Sequence, residues 1–205
     1  RYTAPTDAKA LQQDNLPENT ANITSLAWIK NRDATDIMGI FDSLRGIYKY
    51  SSSSASPAIA QVTNTNTVQR FLQQGVQIGN NTDVVNASAE SLVLWQWATG
   101  TTVETGISGT GNITIDRLKS TTMGLSICTG TTVSSGDTSW EHGLGAKPEF
   151  VLFKQTDSAA NNFQTQHVGT AADGVSMVDT SGLSLNRTNA AAASTGNWGS
   201  EPTTV

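Results

Sequence analysis

Short apolar runs separated by polar turns recur along the whole chain. The first half carries "ITSLAWIK", "TVQRFLQ", "GVQIG" and "ESLVLWQWATG", and the second carries "GLSICTG", "PEFVLFKQ", "GVSMVD" and "GLSLNR". Short runs that are rich in β-branched and aromatic side chains and bounded by Gly, Ser, Thr and Asn are typical of strands. The pattern predicts an all-β fold: tandem sandwich-like modules of antiparallel strands, with short helical turns at most.

Two segments fit this alternation less cleanly. The piece "TDAKALQQ", near the start of the chain, is compatible with a short helix. In "IMGIFDSLRGIYKY" the apolar residues Ile37, Ile40, Phe41 and Leu44 fit a helical turn, whereas the β-branched and aromatic side chains fit strands equally well. Both interpretations of this second segment stay open at the level of sequence.

Composition shifts divide the chain into four parts. Residues 1–22 form an N-terminal polar segment, residues 23–100 a first β-sandwich-like module, and residues 118–205 a second module. Between the modules, the stretch from Thr99 to Asp116 is rich in Gly, Thr and Ser, which indicates a linker, placed at residues 101–117, or a long hairpin. We refer to the two larger parts as the first module and the second module.

The two modules resemble each other at a spacing of 124 residues, the separation of Lys30 and Lys154. "AWIKNRDAT" aligns with "VLFKQTDSA", so that a bulky strand leads to a lysine and then to Asp33 or Asp157. Such a long period is the signature of modular arrays. The second module has no counterpart of "GVQIG" and "LVLWQWATG" before Val205, and we expect further chain or another subunit to supply these strands.

Composition and charge exclude several classes of protein. Ser, Thr and Asn supply 65 of the 205 residues, and these types favour turns and exposed strand faces over helices. The net charge of −5 argues against nucleic-acid binding, which requires a basic surface. No apolar run approaches the roughly 18–20 residues of a membrane span. The single cysteine, Cys128, cannot form an internal disulfide, and its strand-like surroundings favour a buried structural thiol.

The stretch "WEHGLGAKPEFVLFKQTDS" raises the question of catalysis, because it holds His142 between a carboxylate and a Gly-x-Gly pair. A catalytic histidine needs a nucleophile and an orienting carboxylate, and the chain has no Gly-x-Ser-x-Gly elbow. Gly143 and Gly145 lack the third glycine of a dinucleotide fingerprint. The residues instead predict a turn in which His142 hydrogen-bonds the backbone and Pro148 starts the next strand.

Metal and carboxylate sites are weakly indicated. His142, His167 and Glu141 lack the short spacing of metal ligands, and "DATD" and "NNTD" lack the fuller pattern of calcium loops. The glutamates do not lie in the aromatic-rich strand context expected of a glycoside hydrolase. We therefore predict no catalytic residues, no metal and no cofactor.

The tryptophans are the most informative side chains. Trp95 and Trp97 are two residues apart and so face the same side of a strand, and Trp28 on another strand is their expected partner. Such a cluster is most simply a sandwich core. An exposed platform for stacking sugars would use the same residues, so this alternative stays open.

Three segments, "AWIKNRDATDIMGIFDSLRGIYKY", "ESLVLWQWATG" and "GLSICTGTTVSSGDTSWEHGLGAKPEFVLFKQTDS", resemble in this order a repeated β-rich domain of bacteriophage virion proteins, abundant in marine and cyanobacterial phages. The shared pattern is a strand ending in Ile-Lys-x-Arg-Asp, an "FDS-x-RG" segment, a "Trp-x-Trp" strand, and "HGLG-x-x-Pro" opening the next copy. The second module departs from it at "KQTDS", where a basic residue is usual before the aspartate. The turn residues that define the repeat are Asp33, Asp157, His142, Gly143, Gly145 and Pro148.

Known members of that family are mostly virion structural or tail-fibre-like proteins, and the domain has no established activity. The resemblance implies a non-enzymatic virion protein, a tail-fibre or other exposed fibre component that presents a host-binding surface. We expect it on the extracellular particle, after assembly in the bacterial cytoplasm, as a homo-oligomer (a trimer is favoured) that contacts other virion proteins and host surface glycan. The alternatives are a capsid or tail accessory protein and a polysaccharide-degrading tail enzyme using Glu141 or His142.

Overall fold

The computed structural model describes residues 2–3, 9–12, 25–52, 60–72, 75–86, 89–99, 103–132, 138–158, 162–167 and 183–185. Within these residues every regular element is a strand and every strand pair is antiparallel, which confirms the predicted all-β class. The strands are β1 (Tyr2–Thr3), β2 (Lys9–Gln12), β3 (Ser25–Asn31), β4 (Gly39–Asp42), β5 (Lys49–Ser52), β6 (Val62–Thr63), β7 (Val68–Leu72), β8 (Gly75–Ile78), β9 (Ser91–Ala98), β10 (Val103–Ser108), β11 (Ile113–Ser120), β12 (Leu125–Thr132), β13 (Phe150–Phe153), β14 (Gln164–His167) and β15 (Leu183–Ser184).

The first module is built as two sheets with a common apolar core. One sheet has six strands in the order β1-β9-β3-β4-β5-β6, and the other has three in the order β2-β8-β7. Side chains alternate between the two faces of a strand, so the inward-facing apolar residues of both sheets meet in one layer. This buried core consists of Ala27, Ile29, Phe41, Tyr50, Val68, Val76, Ile78, Val84, Val85 and Leu92.

Part of the helix-compatible piece "TDAKALQQ" is strand β2, so the helical interpretation is wrong there. β2 pairs with β8 along its whole length, from Lys9 opposite Ile78 to Gln12 opposite Gly75. A helix this short is marginal by itself, and a complete backbone ladder to a neighbouring strand outweighs its weak propensity. Because β1 likewise pairs with the start of β9, both strands of the N-terminal polar segment join the sheets of the first module.

The ambiguous segment "IMGIFDSLRGIYKY" folds as two strands around a turn. β4 pairs with β3 on one side and with β5 on the other. In the turn, the Gly46 N–H donates to the carbonyl of Asp42 at 3.2 Å. Gly46 has a φ of 97°, a conformation that glycine adopts without the steric cost of a β-carbon. The strand interpretation is therefore the one that the structure bears out.

The described part of the Gly-, Thr- and Ser-rich stretch between the modules lies in a long hairpin, the second of the two predicted alternatives. β10 pairs with β11, and β11 pairs with β12 without interruption, from Ile113 opposite Thr132 to Ser120 opposite Leu125. The turn between β10 and β11 contains Gly111 and Asn112, with φ values of 79° and 56°. Gly and Asn adopt positive φ more readily than other residues, which suits them to hairpin turns.

The second module contains a sheet in the order β13-β14-β15, all antiparallel. This order matches β3-β4-β5 in the first module. The aligned sequences lie in corresponding strands, since "AWIK" lies in β3 and the first three residues of "VLFK" lie in β13. The strand expected at "GVSMVD" lies outside the described residues. The boundaries of the two modules stay a prediction.

Candidate functional site

Trp28 and Trp95 lie directly opposite each other on the neighbouring strands β3 and β9. Their ring centroids are 6.5 Å apart and their planes make an angle of 64°, an edge-to-face contact. Such pairs contribute about 0.5–1.5 kcal/mol beyond the area they bury. Trp97, two residues further along β9, lies on the same side of the sheet, opposite Leu26. We call Trp28, Trp95 and Trp97 the tryptophan face.

The tryptophan face lies on the side of the six-stranded sheet that points away from the apolar core shared by the two sheets. In β3, Ala27 and Ile29 are buried in the core, so Trp28 between them points the other way. Trp95 is 43% exposed, and Trp97 is partly exposed. The spacing predicted correctly that the rings share a face, but it did not reveal which face the second sheet covers. These positions agree with the other interpretation, an aromatic surface that faces outward.

Asp33 lies in a loop that is closed by Lys30. The Lys30 ammonium donates to the carbonyls of Ala34 at 3.2 Å and Asp36 at 2.8 Å. The Asp33 carboxylate accepts a hydrogen bond from the Ser91 N–H, at the start of β9, at 2.6 Å. These bonds fold the loop back on β3 and fasten it to β9, so both charged side chains have a structural role.

The same lysine bond recurs in the second module. The Lys154 ammonium donates to the carbonyl of Ser158 at 2.9 Å, four residues ahead, as Lys30 does to Ala34. Burial lowers the pKa of Lys154, and the nearby charge of Asp157 partly opposes this shift. Asp157 itself is exposed. The aligned lysines therefore close matching loops.

The "FDS-x-RG" segment builds an ion pair between the buried Asp42 and the partly buried Arg45. Arg45 Nε donates to the carboxylate of Asp42, and the Arg45 backbone N–H donates to the other oxygen of that carboxylate at 2.8 Å. The guanidinium also donates to Ser51 Oγ at 2.7 Å and to the Ile40 carbonyl at 2.9 Å. Sequence reasoning did not assign this role, although the three-residue spacing of Asp and Arg before a glycine was a usable signal.

His142 adopts the predicted turn geometry. Its Nδ1 accepts a hydrogen bond from the Leu144 N–H at 3.2 Å. Gly143 and Gly145 have φ values of 70° and 71°, which favour glycine, and Pro148 precedes β13 by one intervening residue. At Gly143 a β-carbon would also come within 2.6 Å of Cζ of Arg117.

Arg117 fastens the His142 turn to the long hairpin. Its side chain is buried and donates to the Glu104 carboxylate at 2.7 Å and to the Glu141 carbonyl at 2.7 Å. The hydrogen bonds from Arg117 and then Lys119 lower the pKa of Glu104. Sequence reasoning missed Arg117 because its partners are distant along the chain and no motif links them.

Cys128 is a poor nucleophile in this setting. It lies partly buried in β12, where its Sγ is 3.6 Å from Ser126 Oγ. Burial raises the pKa of its thiol. Because the thiolate is the reactive form, a raised pKa leaves less of it near neutral pH. The geometry agrees with a structural thiol.

Among the described residues, no group of three or more His, Cys, Asp or Glu side chains is placed to hold a metal ion. Asp36 and Glu90 instead accept hydrogen bonds from the amide of Asn31. Within the same part of the chain there is no helix with the length and hydropathy needed to cross a bilayer.

Residues 18–205 match the protein family described as Domain of unknown function (DUF7483). The chain belongs to this family. No curated protein and no solved structure matches it. Membership covers both modules and the hairpin between them, and the family description assigns no activity to the residues of the site.

Proposed function

We propose that the chain is a non-enzymatic structural protein of a bacteriophage virion, a tail-fibre or other exposed fibre component that presents a host-binding surface. The observation that carries the proposal is the tryptophan face: an edge-to-face pair on the outer side of a sheet, with Trp95 43% exposed. The phage assignment itself is supported by the motif resemblance of the sequence.

The tryptophan face has the properties of a carbohydrate-binding surface. Trp95 supplies the exposed ring of this face, whereas the Nε1 atom of Trp28 is buried. An exposed indole offers a broad apolar surface and suits partners that are apolar on one side and hydrated on the other. Trp28 and Trp95 are held by neighbouring strands that are paired over the length of β3. Rings fixed on a rigid sheet lose little conformational entropy on binding. Host surface glycan is the partner that we assign to this face.

The charged residues of the motifs support a non-catalytic role. Lys30, Arg45 and Arg117 each donate hydrogen bonds that hold a loop, a turn or a sheet in place. His142 accepts a bond from the backbone of its own turn. Catalytic groups are instead recognised by a nucleophile, a base and an orienting partner that converge on one point. In this proposal the chain acts as a homo-oligomer, with a trimer favoured, in contact with other virion proteins.

Binding to purified bacterial lipopolysaccharides and capsular polysaccharides tests the proposal, with wild type compared with Trp95→Ala. Met123→Ala is the matched control, because Met123 is also exposed but lies in the turn between β11 and β12. We expect Trp95→Ala to weaken binding by about tenfold or more and the control to leave it unchanged. Equal binding by all three proteins would overturn the assignment of the tryptophan face.

The same samples separate the alternatives. An accessory protein that stabilises the shell or tail would bind none of the polysaccharides, and a depolymerase would shorten them, as measured by size-exclusion chromatography. Antibodies against the chain, applied to phage particles in electron microscopy, should label fibres. Labelling confined to the shell would contradict the fibre assignment.

A further inference from the structure

The loop that Lys154 closes contacts the first module. Its middle residue, Thr156, accepts a hydrogen bond at its carbonyl from the Gln61 backbone N–H, at 2.7 Å. Gln61 directly precedes β6, which stands last in the strand order of the six-stranded sheet. The two partners lie in different modules, so this hydrogen bond joins parts of the fold that are distant along the chain. We call residues 154–158 the docking loop.

The Gln61 N–H points away from β5. Along a strand of an antiparallel pair, successive N–H groups point to opposite sides. The Asn64 N–H, just after β6, donates to the carbonyl of Tyr48, just before β5, at 2.8 Å. Gln61 lies three positions before Asn64, so its N–H has the opposite direction. Thr156 therefore reaches this donor from outside the pair of strands.

The first module holds this donor in a fixed position. Val62, the next residue, pairs with Tyr50 of β5, whose side chain belongs to the buried core. In addition, the Arg45 guanidinium donates to Gln61 Oε1 at 3.4 Å. A donor that is already ordered loses little conformational entropy when a partner binds it.

The corresponding loop of the first module is fastened to a different partner. Arg32 takes the place of Thr156 in the 124-residue spacing, and its N–H donates to the Ser91 carbonyl of β9 at 2.8 Å. In the second module, the bond from Lys154 to the Ser158 carbonyl closes the loop around Thr156. The first loop is thus attached to its own sheet, and the docking loop is attached to the other module.

The hairpin holds the second module at another point. Thr110 and Ser139 form an isolated β-bridge, and Arg117 donates to the Glu141 carbonyl at 2.7 Å. The hairpin itself follows β9 along the chain. The first module, the hairpin and the second module therefore form a closed ring of contacts. Each contact in such a ring raises the effective concentration of the partners at the next one.

We propose that the docking loop fixes the second module on the β6 edge of the first module, so that the two modules behave as one rigid unit. The interaction surface is the outward N–H of Gln61, and its partner is the Thr156 carbonyl. Lys154 acts as a positioning residue, because it holds the loop in the conformation that presents this carbonyl. The arrangement does not depend on the molecule that the tryptophan face binds.

Amide hydrogen exchange in the full chain, read residue by residue by NMR, tests the role of Lys154. Lys154→Met opens the docking loop, and we expect the Gln61 amide to exchange about fivefold to tenfold faster. The Asn64 amide, which is bonded inside the first module, should keep its rate. Lys30→Met is the matched control, since it opens the other loop and should leave the ratio of the Gln61 and Asn64 rates unchanged. No acceleration at Gln61, or equal acceleration at Asn64, would overturn the proposal.

Distances between spin labels test the rigid arrangement. Thr65→Cys and Glu149→Cys place the labels on exposed residues of the two modules, and Cys128→Ser removes the native thiol. We expect one narrow distance distribution. Gln61→Pro removes the N–H at an outward position, where a strand accepts proline, and should broaden the distribution. Gln61→Ala keeps the N–H and should leave it narrow. A broad distribution without a Gln61 substitution, or the same distribution in both Gln61 variants, would overturn the proposal.

Discussion

Strands β3 and β13 are each followed by a loop that a lysine closes, yet their surroundings differ. β3 is paired along both sides, and its Ile29 belongs to a core shared by two sheets. β13 is paired with β14 alone in the described structure, and the corresponding Phe153 is 45% exposed. The aligned residues thus adopt matching local structure with very different burial.

This difference shows which features depend on a short sequence alone and which depend on the neighbouring strands. The loop that Lys30 or Lys154 closes forms in either environment, since its hydrogen bond joins residues four apart. Burial of the apolar face requires β9 and the facing three-stranded sheet, which come from residues far along the chain. The hydrophobic contribution to stability follows the area removed from water, so we expect the first module to be the more sensitive to apolar truncation.

The largest effect is expected from truncating the apolar residue before each lysine. Ile29→Ala removes a fully buried side chain and should lower the free energy of unfolding by about 2–5 kcal/mol. Phe153→Ala should cost less than about 1 kcal/mol, because much of that side chain already contacts water. Chemical denaturation followed by tryptophan fluorescence measures both. Similar losses for the two variants would mean that Phe153 is covered in solution.

The next largest effect concerns the turn that leads into β13. Gly143→Ala and Gly145→Ala both place a β-carbon on a residue with positive φ, at about 1–2 kcal/mol. Gly143→Ala must also displace the Arg117 guanidinium, so its total loss should reach about 2–3 kcal/mol. Denaturation midpoints of the two variants give the comparison directly. A larger loss for Gly145→Ala would show that Arg117 does not hold this turn.

A smaller effect is expected from the two loop lysines. Lys30→Met removes hydrogen bonds to the carbonyls of Ala34 and Asp36 and should cost about 1.5 kcal/mol. Lys154→Met removes the bond to the Ser158 carbonyl and should cost less, because burial already disfavours the charged form of Lys154. The free energies of unfolding of the two variants check the order. If Lys154→Met were the more damaging, the second loop would depend on its lysine more than the first does.

Alkaline pH should affect the two modules with opposite sign. Burial, followed by the charge of Asp83, raises the pKa of Tyr50. The higher pKa of Tyr50 in the folded state makes a contribution to the free energy of unfolding that is present below about pH 10, the ordinary tyrosine value. This contribution is lost as the pH rises through the raised pKa. Burial lowers the pKa of Lys154. The unfolded chain then binds more protons between that lowered value and about pH 10.4, so stability rises with pH in this window.

Unfolding midpoints between about pH 8 and about pH 11 test these signs. Tyr50→Phe should reduce the alkaline loss of stability, and Lys154→Met should remove the small opposing gain. A steeper alkaline loss in Tyr50→Phe than in wild type would contradict the assignment for Tyr50.

Much of the fold could be predicted from the sequence, because short β-rich runs and turn residues act locally. The strands at "SLAWIK" and "LVLWQWA" and the turn around His142 follow from alternation and from glycine and proline chemistry. β2 could not be predicted in this way, since its conformation depends on pairing with β8, more than sixty residues away. The sequence could not decide between a linker and a hairpin for the stretch between the modules, because Gly and Thr are common in both.

The tryptophan face shows a second limit. The two-residue alternation of side-chain direction in β9 showed which rings lie on the same face. A strand has two faces, however, and the sequence places apolar residues on both. Ala27 and Ile29 were the residues of β3 that faced the second sheet, although Trp28 is the larger apolar side chain. The roles of Arg45 and Arg117 also depended on contacts that only the folded chain creates.

The lysine in each loop makes the conformation of that loop independent of dissolved ions. In calcium-binding loops, backbone carbonyls and carboxylates surround a dissolved ion, and the occupancy of the site depends on the concentration of that ion. Here the positive charge that gathers the carbonyls of Ala34 and Asp36 is attached to the backbone of Lys30. Because this cation is covalently part of the chain, neither dilution nor a chelator can remove it from the loop.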